Sequence, residues 1–246
     1  MVRTVRGRRM TPALAPQSGA ARTAVRDRLA RTGRAQVLDL LTEPYAAHLR
    51  SEAVGADYNV VTLRGTGHID LPAAWLASLQ PEQKQGLGQA VQAAATDGFQ
   101  YLYDNHPIYD LVEAGAAQPV WAELVAFLNG EPFLDLMRDL TGESRIAMAD
   151  AQLTRFRRGH FLTAHDDAAE GKNRYYAFVL GLTDRWRIDW GGLLAFHGED
   201  GNVAEAFTPR FNTLNLLKVP APHSVTQVAL SAGADRISVT GWLRGA

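Results

Sequence analysis

Beyond the midpoint of the chain the spacing of apolar residues changes from helical to strand-like. From Pro72 to about Asn129 the apolar residues recur at helical spacing, and a further helix is predicted from Pro132 to a stop at Gly142. From Arg145 onward the spacing becomes two, which is typical of strands that bury one face. Helices followed by many short strands predict an α+β fold with a barrel or a double-sheet jelly roll.

Six short strands are predicted in the second region, each separated from the next by Gly, Asp or Pro turns. They are Ile146–Phe156, Tyr175–Leu182, Leu193–His197, Leu214–Val219, Ser224–Leu230 and Ile237–Leu243. The first region adds strands at Ala35–Leu41 and Tyr58–Leu63 around a helix that ends at Val54. Residues 35–246 are therefore expected to form a single domain, in which helical support (35–144) braces a β core (145–246).

The N-terminal segment, residues 1–34, has a different composition from the rest of the chain. It contains nine Arg and one acidic residue, Asp27, and only Ala20–Ala30 has a helical pattern. We expect a flexible lead-in. The alternative interpretations are a targeting segment and a tail that binds RNA or the ribosome, because an excess of Arg is typical of both.

Composition excludes several classes of protein. The chain has no Cys, which rules out disulfides, Cys-ligated zinc, Fe–S clusters and thiol nucleophiles. The net charge of -1 does not favour a general polyanion binder. The sequence contains neither an apolar run of the ~20 residues needed to cross a bilayer nor a secretory signal. We expect a cytoplasmic protein without a membrane partner.

A set of metal-binding residues stands out in the β-rich region. His165 and Asp167 are two residues apart, so on an extended strand both side chains face the same way. A second histidine, His223, follows later in the chain. Two imidazoles and one carboxylate on one face of a metal leave adjacent positions open, as in non-haem Fe(II) oxygenases. A bidentate 2-oxo acid and O2 fit those positions.

Two other histidines are alternative candidates for the metal ligands. His160 lacks a carboxylate two residues later, so His165 is preferred to it. His197 ends an apolar strand before Gly198, whereas His223 opens a strand, so His223 is preferred as the distant ligand.

Arg236 lies in an apolar β run, where an unpaired guanidinium is costly, so it needs an anionic partner. That partner is either the distal carboxylate of a 2-oxo acid or a protein acid such as Asp235. Ser238 is on the same face of the strand and is expected to share the carboxylate. Arg244, near the C-terminus, is the weaker alternative to Arg236.

Residues from about Arg145 to Arg244 resemble the 2-oxoglutarate/Fe(II)-dependent dioxygenases, specifically the prolyl-hydroxylase-like branch. The matching stretches are Phe156-Arg157-Arg158-Gly159, Phe161-Leu162, His165-x-Asp167, Tyr176–Trp186, Trp190–Leu194, Phe211–Leu214, His223 and Arg236. Many relatives carry Tyr where Phe156 stands. The match therefore does not assign a tyrosine to the co-substrate, and Tyr176 is a candidate.

The resemblance implies a distorted double-stranded β-helix and a dioxygenase that uses Fe(II), 2-oxoglutarate and O2, with ascorbate in support. His165, Asp167 and His223 would hold the iron, and Arg236, Ser238 and Tyr176 the co-substrate. The implied reaction hydroxylates an unactivated C–H bond, releasing succinate and CO2. The implied substrate is a prolyl residue of a protein or peptide, or a proline-like small molecule.

Two alternatives come from other functional classes. One is a metal-binding β-barrel that acts as a sensor or scaffold without turnover, for which Arg236 would not be needed. The other is an RNA- or ribosome-associated protein that binds through residues 1–34, with the salt sensitivity expected of phosphate contacts.

Overall fold

The computed structural model describes residues 10–246. The helices in this range are α1 (Gly19–Thr32), α2 (Glu43–Val54), α3 (Ala73–Ser78), α4 (Pro81–Asp97), α5 (Ile108–Glu113), α6 (Pro119–Leu128) and α7 (Glu131–Thr141). The strands are β1 (Arg34–Val37), β2 (Asn59–Arg64), β3 (Gly67–Leu71), β4 (Tyr101–His106), β5 (Met148–Ala149), β6 (Gln152–Phe156), β7 (Phe161–His165), β8 (Arg174–Gly181), β9 (Leu194–His197), β10 (Val203–Phe207), β11 (Thr213–Lys218), β12 (His223–Val225) and β13 (Arg236–Arg244). A short 3-10 turn, Ile188–Trp190, precedes β9. None of the described helices has both the length and the apolar character needed to span a bilayer.

One long antiparallel sheet curls into the two layers of a double-stranded β-helix, as expected. Its strand order is β1-β11-β8-β13-β6-β4-β7-β12-β9-β10. β4 connects the layers, because along one edge it pairs with β7 through Tyr101 and Leu102, and then with β6 from Asp104 onward. β2 pairs with the other edge of β4 and carries β3 beyond it.

The layer of the sheet that contains β8 and β13 buries both of its faces. Along β8, Phe178 and Leu180 join the main core, to which α5, α6 and α7 contribute, while Ala177 and Val179 face the interior of the barrel. β13 alternates in the same way, with Val239 in the main core and Arg236 facing the interior. The interior face therefore carries the residues that can meet a ligand.

The predicted flexible segment, residues 1–34, is in large part structured in the described residues. Ser18 caps α1 by accepting a hydrogen bond from the Ala21 N–H, and Gly33 ends the helix in the left-handed region. Arg26 pairs with Asp139 of α7 at 2.6 Å, which fixes the helix to the domain. Residues 1–9 lie outside the described residues, so for them flexibility stays a prediction.

The sheet crosses the predicted boundary at residue 145 between the helical support and the β core. β1 pairs with β11, and β4 pairs with β6, so two strands from the expected helical support are built into the β core. β4 lies within the stretch predicted to be helical, and that prediction is wrong there. The polar residues Asp104, Asn105 and His106 are buried on this strand, which removes the alternation that identifies a strand from sequence.

Candidate metal and co-substrate site

The pairing of β7 with β12 brings two distant histidines together. His165 ends β7, His223 begins β12, and the two residues are direct partners in the antiparallel register. Their ring centroids are 4.1 Å apart. The sheet, and not a flexible loop, therefore fixes both imidazoles.

Asp167 completes the cluster through a turn. Its φ of 63° lies in the left-handed region, which Asp adopts more readily than most residues, so the chain leaves the strand direction after His165. The side chains therefore converge by a turn and not by the strand alternation expected from sequence. One Asp167 oxygen lies 3.6 Å from His165 Nε2 and the other 3.5 Å from His223 Nε2. Asp166 is exposed and accepts a hydrogen bond from the Ala168 N–H.

The donor atoms suit a divalent transition metal. The Nδ1 of His165 donates to the Thr163 carbonyl at 3.0 Å, and the Nδ1 of His223 donates to the Ala221 carbonyl at 2.7 Å. With Nδ1 protonated in each ring, both Nε2 lone pairs remain free for a metal. The three ligand atoms lie within 4.8 Å of one another. Burial lowers the pKa of His223, as does neighbouring His165, and Asp167 opposes this, so the ring favours the neutral form that binds metal.

A cavity of about 210 Å³ extends from this cluster into the barrel. Its lining includes the three cluster residues, the polar side chains Gln152, Thr154, Thr240 and Arg236, and the aromatic side chains Phe99, Tyr101, Tyr103, Phe156 and Trp242. The cavity therefore joins a metal-binding cluster and a cation through a lining that is largely apolar.

Arg236 is buried without a counter-ion. Its side chain is 4% exposed and its guanidinium carbon lies 5.0 Å from the centre of the Phe156 ring. Within the described chain its Nη1 has no hydrogen-bond partner, and no acidic side chain, Asp235 included, offsets its burial. Burial alone lowers the pKa of Arg236 to about 10. A buried cation of this kind calls for an anion, and the cavity is where one can reach it.

The other two predicted co-substrate residues have different positions. Ser238 is buried on the same face of β13 as Arg236, and both line a small recess next to the main cavity. Tyr176 packs in the main core on the helix side of β8, where its hydroxyl donates to the Thr141 carbonyl at 3.4 Å. The alternation of β8 therefore directs Tyr176 away from the cavity, and the structure does not support it as a co-substrate contact.

The two alternative ligands, His160 and His197, lie outside the cluster. His160 is on the outer side of the sheet, where its Nδ1 is 3.9 Å from Asp104. His197 Nε2 is hydrogen-bonded to the Ser224 hydroxyl at 2.9 Å.

Sequence reasoning did not assign the aromatic side chains that β4 adds to the cavity. Tyr103 stacks on Phe156 with ring centres 5.1 Å apart, and both rings line the cavity. Phe99, just before β4, remains 49% exposed and lies 5.6 Å from the His165 ring. Tyr101, Tyr103 and Tyr109 around His106 are the sequence signal for a substrate cleft, but clustered aromatic residues are more often core, so the sequence alone leaves them unassigned.

Gly191 and Gly192 permit a close backbone approach beside Arg236. Both have positive φ, and a Cβ on Gly191 would lie 2.1 Å from the Gln227 carbonyl oxygen. A Cβ on Gly192 would lie 3.6 Å from Arg236 Cδ and 3.1 Å from Trp186. Gly191 is therefore required by its approach to the Gln227 backbone, and Gly192 by its approach to Trp186.

Comparison with known proteins agrees with this geometry. Residues 151–244 match the model of the 2OG-Fe(II) oxygenase superfamily. This part of the chain is similar to that superfamily. The match includes the three clustered residues and Arg236.

Relatives and solved structures extend the similarity. The chain is 33% identical over 122 residues to prolyl 3-hydroxylase OGFOD1 of Xenopus laevis, a match that covers 47% of this chain and 23% of that protein. The fold resembles a Pseudomonas putida prolyl-4-hydroxylase (TM-score 0.58, 18% identity, 92% of this chain and 99% of that one). It also resembles a Trichoplax adhaerens prolyl hydroxylase bound to a hypoxia inducible factor peptide (TM-score 0.59, 13% identity, 92% and 90%). The chain thus spans less than a quarter of the curated relative, and the structural similarities establish the double-stranded β-helix fold.

Proposed function

We propose that the protein is an Fe(II)- and 2-oxoglutarate-dependent dioxygenase that hydroxylates an unactivated C–H bond. One observation carries the proposal: a buried, unpaired Arg236 faces the same cavity as the cluster of His165, Asp167 and His223. A barrel that only bound a metal would have no use for that cation.

Each residue has a role that follows from its position. His165, Asp167 and His223 would hold Fe(II) through two Nε2 atoms and a carboxylate, with the rings oriented by their Nδ1 bonds. Arg236 would bind the distal carboxylate of 2-oxoglutarate, because a guanidinium fork matches a carboxylate. When bound, the iron and the co-substrate supply oxidative hydroxylation with O2, releasing succinate and CO2.

Arg174 would keep the Asp167 turn in place. Its Nη1 donates to the Asp167 carbonyl at 3.2 Å, and its guanidinium lies 3.5 Å from the centre of the Trp242 ring. Fixing the carboxylate in this way preserves the spacing of the ligands before metal arrives.

The substrate that fits best is a prolyl residue in a protein or peptide. The relatives named above are prolyl hydroxylases, and one was solved with a peptide. Phe99 and Tyr101 stand at the cluster end of the cavity, where aromatic rings suit the apolar face of a pyrrolidine. Action in the cytoplasm is part of the same proposal.

The test is an anaerobic titration of the apoprotein with Fe(II) and then 2-oxoglutarate, followed by the visible metal-to-ligand charge-transfer band. We expect a band that disappears in His165→Ala and weakens in Arg236→Ala. A screen of prolyl peptides with succinate as the readout then follows. No band in folded, metal-loaded protein would favour the metal-binding barrel without turnover.

The structure gives the nucleic-acid alternative little support in the described residues. Arg22 and Arg26 pair with Asp139, while Arg28 and Arg34 pair with Glu205. Four arginines of the N-terminal segment are therefore engaged within the domain.

A further inference from the structure

A second cavity, of about 430 Å³, lies on the outer side of the sheet. Its floor includes Asp104 of β4 and Arg155 of β6, and its roof is the α3–α4 pair. Neighbouring residues on the same strands, Tyr103 and Phe156, face the catalytic cavity. The outer cavity is thus separate from the proposed dioxygenase site and shares its wall.

The floor of the outer cavity carries excess positive charge. Asp104 is 1% exposed, accepts a hydrogen bond from Arg155 Nε at 2.7 Å, and forms an ion pair with Arg157, whose Nε lies 2.8 Å away. Arg157 Nη2 donates to the other Asp104 oxygen at 2.9 Å. Two guanidinium groups against one carboxylate leave one net charge, to which Lys84 at the roof adds a second.

The guanidinium groups keep binding capacity after pairing with Asp104. The contacts of Arg157 use its Nε–Nη2 edge, which leaves the N–H groups of Nη1 for another acceptor. Arg155 stacks on Tyr58, with its guanidinium carbon 4.1 Å from the ring centre, so it is held in place.

His160 adds a buried polar atom to the same lining. The residue is 6% exposed, and its Nδ1 has no hydrogen-bond partner within the described chain. Burial lowers the pKa of His160 to about 4, against the opposing effect of Asp104, so the ring is neutral at neutral pH. A neutral imidazole has one donor and one acceptor nitrogen, so this atom adds a polar position to the lining but does not by itself select an anion.

The roof of the outer cavity is apolar and stands away from the sheet. Val91 is the only buried residue of α4, and no residue of α3 is buried. Leu76 and Leu87 are half-buried and line the cavity. A helix pair that leaves its apolar side chains over an open space provides a surface for an apolar ligand body.

We propose that this outer cavity binds a small carboxylate with an apolar body, its carboxylate on Arg157 and its body against Leu76 and Leu87. A planar carboxylate suits the free guanidinium N–H groups of Arg157. The apolar side chains of the roof would shield the apolar body of the ligand from water.

Two glycines of α4 provide a matched test. Gly88 lines the cavity, Gly86 does not, and a Cβ on either meets no atom within 4 Å. Gly88→Leu should fill the cavity, whereas Gly86→Leu makes the same change on the exposed part of the helix. Both remove a helix-interior glycine, so neither substitution is expected to impair folding.

The experiment is calorimetric titration of the full-length protein with octanoate, and with acetate and 1-octanol as probes that lack the body or the charge. We expect one site for octanoate, weakened at least tenfold by Gly88→Leu and by Arg157→Gln and within twofold of wild type in Gly86→Leu. Acetate and octanol should each bind at least tenfold more weakly. Absence of octanoate binding, or equal binding by Gly88→Leu and wild type, would overturn the proposal. The second result would place octanoate elsewhere, for example at Arg236.

Discussion

Arg236→Met should make the unliganded protein more stable while it removes the response to 2-oxoglutarate. Met keeps much of the length of the side chain and removes the charge. The expectation follows from the burial of Arg236 without an acid among the described residues. A residue kept for ligand binding at the expense of stability is expected at a functional site.

The magnitude comes from the cost of the buried charge. Burial lowers the pKa of Arg236 from its ordinary value to about 10, and each pKa unit corresponds to about 1.4 kcal/mol, so the charged form costs roughly 3 kcal/mol in the folded state. The sign is fixed because the folded pKa lies below the unfolded one, so the full cost applies at every pH below about 10. Loss of the Phe156 contact offsets roughly 1 kcal/mol, leaving a gain of about 2 kcal/mol.

Urea unfolding at pH 7.5 measures the gain, and repeating it anaerobically with Fe(II) and excess 2-oxoglutarate measures the response. At a ligand concentration of 100 Kd the wild type should gain about 2.7 kcal/mol, and Arg236→Met should gain little beyond the effect of the metal. Arg187→Met is the control, because Arg187 is exposed and pairs only with neighbouring Asp189 at 2.9 Å. A less stable Arg236→Met protein that still responds fully to 2-oxoglutarate would refute the reasoning.

Three further predictions concern the ligands, the glycine turn and the outer charge cluster. His165→Ala should lower Fe(II) affinity at least a hundredfold by equilibrium dialysis, whereas His197→Ala should change it less than threefold; similar losses would contradict the assignment. Gly191→Ala should cost more than 3 kcal/mol in urea unfolding, because the new Cβ meets a carbonyl oxygen, whereas Gly201→Ala, with positive φ and open space, should cost roughly 1 kcal/mol. Equal losses of stability in the two variants would show that the backbone moves to relieve the contact with the Gln227 carbonyl oxygen. Asp104→Asn should destabilise the fold by about 2 kcal/mol, because it removes the buried carboxylate that accepts hydrogen bonds from two partly exposed guanidinium groups, and an effect below about 1 kcal/mol would show that water replaces those bonds.

The residues with the most specific chemistry were predictable from sequence. Two imidazoles, a carboxylate and a buried Arg have few other uses in that order, and the structure brings all four to one cavity. Strand alternation is an incomplete explanation for the convergence of His165 and Asp167, because Asp167 reaches the cluster through a left-handed turn. A single residue between two ligands does not distinguish a strand from a turn.

The side of a fully buried strand was not predictable. β8 is apolar on both faces, so its sequence has no alternation to show which residues face the cavity. Tyr176 was therefore assigned to the wrong side. The pairing of β4 with strands on two layers is non-local, and its buried polar residues hide the strand, so Tyr103 was not assigned to the cavity.

The origin of β4 divides the cavity that joins the metal-binding cluster to Arg236 between two stretches of sequence. The segment that matches the superfamily, residues 151–244, holds the four residues with dedicated chemistry, whereas Phe99, Tyr101 and Tyr103 come from an earlier part of the chain. A transplant of residues 99–106 between related chains would therefore exchange three aromatic side chains of the cavity lining while leaving the metal-binding cluster and Arg236 in place. The choice of ligand can in this way be redesigned, or can diverge, by changes in residues 99–106 alone.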